Sequence, residues 1–269
     1  MGFKLLNYKS IYKIFWNQYL IEDCALHRVK HIKYLKKKDY YFDISIIFLK
    51  FLGKDLISFT SLSSFLIGYL RHKKIMLHKK NIFLFTRSFE VNNISKKFHK
   101  LKVNLFPFIK VNETSRHIYS LLELKEIFKI IILTIINFPY LYFELFIYCR
   151  IERINFFKFI LLTKLTLTSI LELNLLLVCL TKIDKKHTVS NSEHFTPYMQ
   201  LLSFYKVSKK NNVWSLNLYQ HGVYEIDKFN RLYNKVYADK IFFKFKQSVK
   251  WIKENFVLNQ DCTFSFFRS

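Results

Sequence analysis

The sequence predicts an α/β fold built on a parallel sheet. Two observations carry that expectation. Short apolar runs rich in β-branched and aromatic residues alternate with helical stretches, the pattern of strands joined by helical crossovers. The chain has 269 residues, 51% of them hydrophobic and 19% aromatic, enough to bury the core of one large domain or two ordinary ones.

Residues 1–40 read as helical and basic, ending in the solvated run "KYLKKKDYY". "FDISIIFLKFLG" (42–53), "KNIFLFTRS" (80–88) and "KVNLFPFIKV" (102–111) are charge-bounded apolar runs that predict strands. The pattern over 120–174 is helical and long. Beyond it, "HTVSNS" (187–192) predicts a strand and "TPYMQLLSFYKVSKKN" (196–211) an amphipathic helix. Thr196 stands at the N-cap of that helix and Pro197 at the first helical position, which tolerates it. "NVWSLNLYQ" (212–220), "ADKIFFKF" (238–245) and "DCTFSFF" (261–267) predict three more strands. "QSVKWIKENF" (247–256) predicts a helix with Val249, Ile252 and Phe256 on one face. The alternation makes the sheet parallel at least from residue 157 onward.

The formal net charge is +25, and nearly all of it is lysine spread from end to end. A nucleic-acid surface favours arginine gathered with aromatics on one face, so no nucleic-acid partner is expected. Diffuse positive charge suits anionic lipid headgroups or phosphate-bearing substrates better. The four cysteines (Cys24, Cys149, Cys179, Cys262) are scattered without a CxxC pair, which implies neither a disulfide framework nor a metal site and suits the reducing cytoplasm. Lys4, Lys9 and Lys13 interrupt any signal-like apolar core, and Gly2 lacks the serine or threonine of a myristoylation start. Two stretches invite a membrane reading, 130–143 and 165–180. The first is short for a span and contains Pro139, and the second carries Glu172 at its middle. Both read as buried core helices, or as apolar helices lying on a membrane surface with Lys and Arg at their edges.

Ligands of an open parallel sheet bind where its strands end and loops turn into helices. Two segments hold that position. "SNSEHFTP" (190–197) opens a helix, so backbone N–H groups near Phe195 and Thr196 and the positive helix end suit a phosphate or carboxylate. "YQHGVYE" (219–225) places His221 and Gly222 directly after a strand. Gly222 is one of only four glycines; it permits a positive φ or a close ligand approach. His221 titrates near neutral pH and can act as a general base or a phosphate partner. A glycine after a strand is more often a plain turn, and it is the pairing with 190–197 that singles this one out. No P-loop, GxGxxG, GxSxG, HExxH or EF-hand pattern occurs.

The residues Glu193, His194, Thr196 and Pro197, then Gln220, His221 and Gly222, then Ala238, Asp239, Lys240, Ser248 and Trp251 together resemble bacterial surface-polysaccharide glycosyltransferases of the two-Rossmann-domain GT-B architecture. The resemblance covers about residues 187–256. It implies a Rossmann-like parallel sheet with flanking helices, an acceptor-side domain over 1–235 and the start of a donor-side domain over 236–269. Those enzymes continue through a second full domain, whereas this sequence ends thirteen residues after Phe256. The resemblance further implies a nucleotide-sugar donor as co-substrate, no other cofactor, no metal, and a capsule or lipopolysaccharide acceptor held at the inner membrane surface. His221 and Glu193 are then the candidate catalytic bases, with His194, Thr196, Gln220 and Gly222 binding substrate. A non-catalytic, membrane-associated scaffold is the alternative, and a two-span membrane protein a third reading.

Overall fold

A computed structural model describes residues 62–72, 74–85, 96–103, 115–151, 153, 156, 167–191, 202–203, 205–206, 213–220 and 235–266. The expected strand at 42–53 and the basic helix of 1–40 lie outside the described residues. So do Glu193, His194, Thr196, Pro197, His221 and Gly222.

Among the described residues nine strands follow in chain order: β1 (Asn81–Phe85), β2 (Phe98–Lys102), β3 (Ser115–His117), β4 (Thr188–Asn191), β5 (Ser215–Tyr219), β6 (Lys235–Val236), β7 (Lys240–Phe243), β8 (Val257–Leu258) and β9 (Thr263–Phe266). Seven of them form one sheet in the order β3-β2-β1-β4-β5-β7-β9, while β6 and β8 pair separately. Every pairing in the large sheet is parallel. The chain steps outward from β1 to β3, returns to β4 beside β1, and then steps outward the other way. This is a Rossmann-like arrangement, and its order reverses between β1 and β4. The parallel pairing begins at Asn81, well before residue 157. Two strands from 236–269, the region expected to open a second unit, hydrogen-bond into this same sheet, β7 beside β5 and β9 beside β7.

β1 shows why the sheet forms: "NIFLF" is buried over four of its five residues, as befits a strand covered on both faces. Ile82 and Leu84 belong to the main core, and Phe83 and Phe85 to a second cluster with Phe98 and Tyr219. β2 occupies Phe98–Lys102, where the alternation of Phe98, Lys100 and Lys102 against Leu101 matches the pleat of β1; most of the strand expected at 102–111 lies outside the described residues. Ser115–His117, Lys235–Val236 and Val257–Leu258 were not anticipated, being too short for periodicity to register.

The long helical region contains α1 (Leu124–Ile151) and α2 (Leu167–Leu180), the second falling within the apolar stretch 165–180 that reads as a core helix. α2 is buried almost all round, from Ile170 to Leu180 with only Glu172 half-buried, so it is the central core helix. α1 packs one face on it through Ile127, Ile130 and Thr134, and the buried Asn174 amide donates to the Thr134 hydroxyl at 3.0 Å. Pro139 leaves the Ile135 carbonyl without its usual helical donor, on the exposed side of α1 where that costs least. α3 (Gln247–Asn255) buries Trp251 and Ile252, with Phe256 just beyond its end. Among the described residues no helix is long and apolar enough to cross a membrane.

Candidate functional site

β4 and β5 are parallel neighbours in register from Thr188↔Ser215 to Asn191↔Leu218. Both strands therefore end at one edge of the sheet, the edge from which 192–197 and 221–225 continue. β4 also borders the reversal point, where an open α/β sheet leaves a crevice. Asn191 spans that point: it is buried at the end of β4, and its side-chain amide donates to the Leu84 carbonyl of β1 at 3.4 Å.

Gln220, just after β5, is the expected site residue that falls among the described ones, and it is 1% exposed. Its carboxamide oxygen accepts the Lys244 N–H at 2.9 Å and the Phe245 N–H at 3.3 Å. Its NH2 group donates to the Ser248 hydroxyl at 2.7 Å, and its backbone N–H donates to the Phe242 carbonyl. This side chain ties the end of β5 to the β7–α3 turn. That tether fixes the chain at the residue preceding His221. Beside it the Tyr219 ring stacks on Phe242 at 4.4 Å, and burial pushes its phenol pKa up, with Ser190 pulling the other way.

Sequence reasoning missed the cations at this edge. Lys102 ends β2, level with Phe85 of β1 and His117 of β3, and it is 2% exposed. Lys100 lies two residues earlier on the same face and is also buried. Among the described residues no carboxylate bonds either of them. Burial holds both ammonium pKa values below the ordinary lysine value, Lys79 adding repulsion at Lys100. A buried cation without a counter-charge is costly and suits an anionic ligand. The available signal was the alternation "FHKLK", which puts two lysines on the face that carries Phe83 and Phe85. At the end of β3 the buried His117 ring lies 4.3 Å from His72 and 5.7 Å from Tyr119. Burial lowers the His72 pKa, and Arg116 and Arg71 add to it.

Asp239 lies at the opposite edge, where β7 begins. Its carboxylate pairs with Lys206 and accepts the Leu216 N–H at 2.6 Å, while its carbonyl accepts from the Thr263 N–H and hydroxyl. Asp239 thus joins the 202–206 helical stretch to β5 and β9, away from the strand ends at Asn191 and Gln220. Among the described residues no group of three His, Cys, Asp or Glu side chains is placed to hold a metal ion. Burial pushes the Cys149 thiol up to about 12 and the Cys262 thiol up to about 11, which makes both poor ligands and poor nucleophiles. Comparison of the chain with known protein families, with curated proteins and with solved structures found no match.

Proposed function

We propose that this protein is a glycosyltransferase that moves a sugar from a nucleotide-sugar donor to a surface-polysaccharide acceptor at the edge formed by the ends of β4 and β5. One observation supports this reading above the others: the strand order reverses at β1/β4, and β4 and β5 end side by side. The segments bearing Glu193, His194 and Thr196 and bearing His221 and Gly222 thereby start from one rim. In the transfer, a base takes the proton of the acceptor hydroxyl. The hydroxyl oxygen bonds to the anomeric carbon as the bond from that carbon to the diphosphate breaks, releasing the nucleoside diphosphate. His221 is assigned the base and Glu193 is its alternative, with His194, Thr196 and Gly222 holding substrate. Gln220 positions His221 through the β7–α3 turn. Lys102, two strands from β4 and so roughly 10 Å away, supplies positive charge for the leaving diphosphate.

The test is a titration of the full chain with nucleoside diphosphates and nucleotide-sugars, followed by transfer assays with lipid-linked glycan acceptors. Saturable binding that His221→Ala and Lys102→Met weaken, together with transfer abolished by His221→Ala, is expected. Binding of none of these donors would sink the reading. A second reading, a membrane-surface scaffold without transfer activity, is favoured by the bare apolar face of α1.

A further inference from the structure

α1 has two apolar faces, and only one is covered. Leu124, Phe128, Ile132, Ile135, Ile136, Phe143, Phe146 and Ile147 are between 37% and 64% exposed. At about 100° per residue these positions share one arc of the helix, opposite the arc of Ile127, Ile130 and Thr134 that packs on α2. The exposed arc runs about 35 Å along the axis. Lys125 and Lys129 fall on it at one end and Arg150 at the other, where its guanidinium lies over the Phe146 ring at 5.7 Å. Arg153 follows, also exposed. No aspartate or glutamate occupies a position of the arc.

We propose that this face of α1 docks on an anionic membrane surface, lying in the headgroup plane with its apolar stripe in the outer acyl region and its basic ends among the headgroups. The charge selects the occupant. Two copies of this face brought together would oppose their basic ends, in a chain already carrying +25. An anionic lipid surface neutralises the same cations while removing the apolar stripe from water. A crossing is excluded for α1, since its other face belongs to the core. α2, just as apolar in sequence, contributes nothing to such a surface because it is buried. The inference stands whether or not the chain transfers sugar.

The experiment is flotation of the full-length protein with phosphatidylcholine vesicles, with and without phosphatidylglycerol. Retention on the anionic vesicles, weakened by salt, is expected. The double variant Phe128→Gln/Ile135→Gln should lose roughly tenfold or more in partitioning while its melting temperature is unchanged. Phe143→Trp supplies a readout in an otherwise intact face: its emission should shift to the blue on anionic vesicles and stay fixed on neutral ones. Absence of vesicle binding, equal binding by the double variant, or a dimer in solution that the double variant splits would each overturn the proposal. The last outcome would assign the face to a second copy of the chain.

Discussion

Gln220 shows how one side chain can be committed on both of its ends. Its oxygen takes two backbone donors and its NH2 reaches Ser248. Gln220→Ala removes these bonds and leaves the Lys244 and Phe245 N–H groups without that acceptor. Chemical denaturation should show a loss of about 1–3 kcal/mol, and Gln220→Glu, which keeps the acceptor, a smaller one. Lys102 presents the reverse case, a buried cation that no carboxylate among the described residues pairs with. Lys102→Met should raise the melting temperature of the ligand-free protein, by about 1 kcal/mol or more of stability, while weakening anion binding. The sign of its pH dependence follows from the lowered pKa. The unfolded chain holds the extra proton up to the ordinary value of 10.5, so stability rises as pH climbs through the folded-state pKa towards 10.5. The variant should lack that alkaline rise.

At the level of single elements, the start of α1 is held by a small charged network. Glu123 donates its backbone N–H to the Glu126 carboxylate at 2.8 Å, the return bond of a capping box. Lys182, just past α2, pairs with Glu126 at 2.7 Å and with Glu123 at 3.2 Å. Hydrogen bonds from Lys125 first and Lys182 next hold the Glu123 carboxyl near a pKa of about 2, below its ordinary 4.5. Its contribution is therefore fully present above pH 4.5 and is lost as pH falls towards about 2. Glu123→Gln should flatten that part of a urea-midpoint profile, less so at high salt, because the pair faces solvent. In the helical stretch over 62–71, a methyl group at Gly68 would meet the Tyr119 ring at 2.6 Å. Tyr119 is buried against Phe65 and His72, which leaves it little room to yield. Gly68→Ala gains up to about 1 kcal/mol in helix propensity and loses about 1–3 kcal/mol to overpacking. Denaturant titration should find it destabilised.

For the molecule as a whole, acid should be the weak side. The His72 and His99 pKa values both lie below 6.5, burial being the first cause in each and neighbouring cations the second. The unfolded chain therefore takes up more protons below pH 6.5, and stability present above that value is lost as pH falls through the folded-state values. A melting-temperature profile should decline from pH 6.5 downward, and His72→Phe should make the decline shallower.

The local runs of the sequence determined much of this architecture. "KNIFLF", "HTVSN", "SLNLY" and "KIFF" announce strands, and the helices between them imply parallel pairing. The parallel alternation also implies that the segments after Asn191 and Gln220 leave a common rim. Local periodicity cannot reach further, because the partner of a residue is chosen across the sheet. Only the pairing of β2 with β1 buries Lys100 and Lys102, and only the docking of the β7–α3 turn against β5 occupies the Gln220 side chain. α1 and α2 read alike as apolar helices. α2 fills the interior on every side, whereas α1 can turn only one face to it, so which apolar surface stays bare was decided by packing.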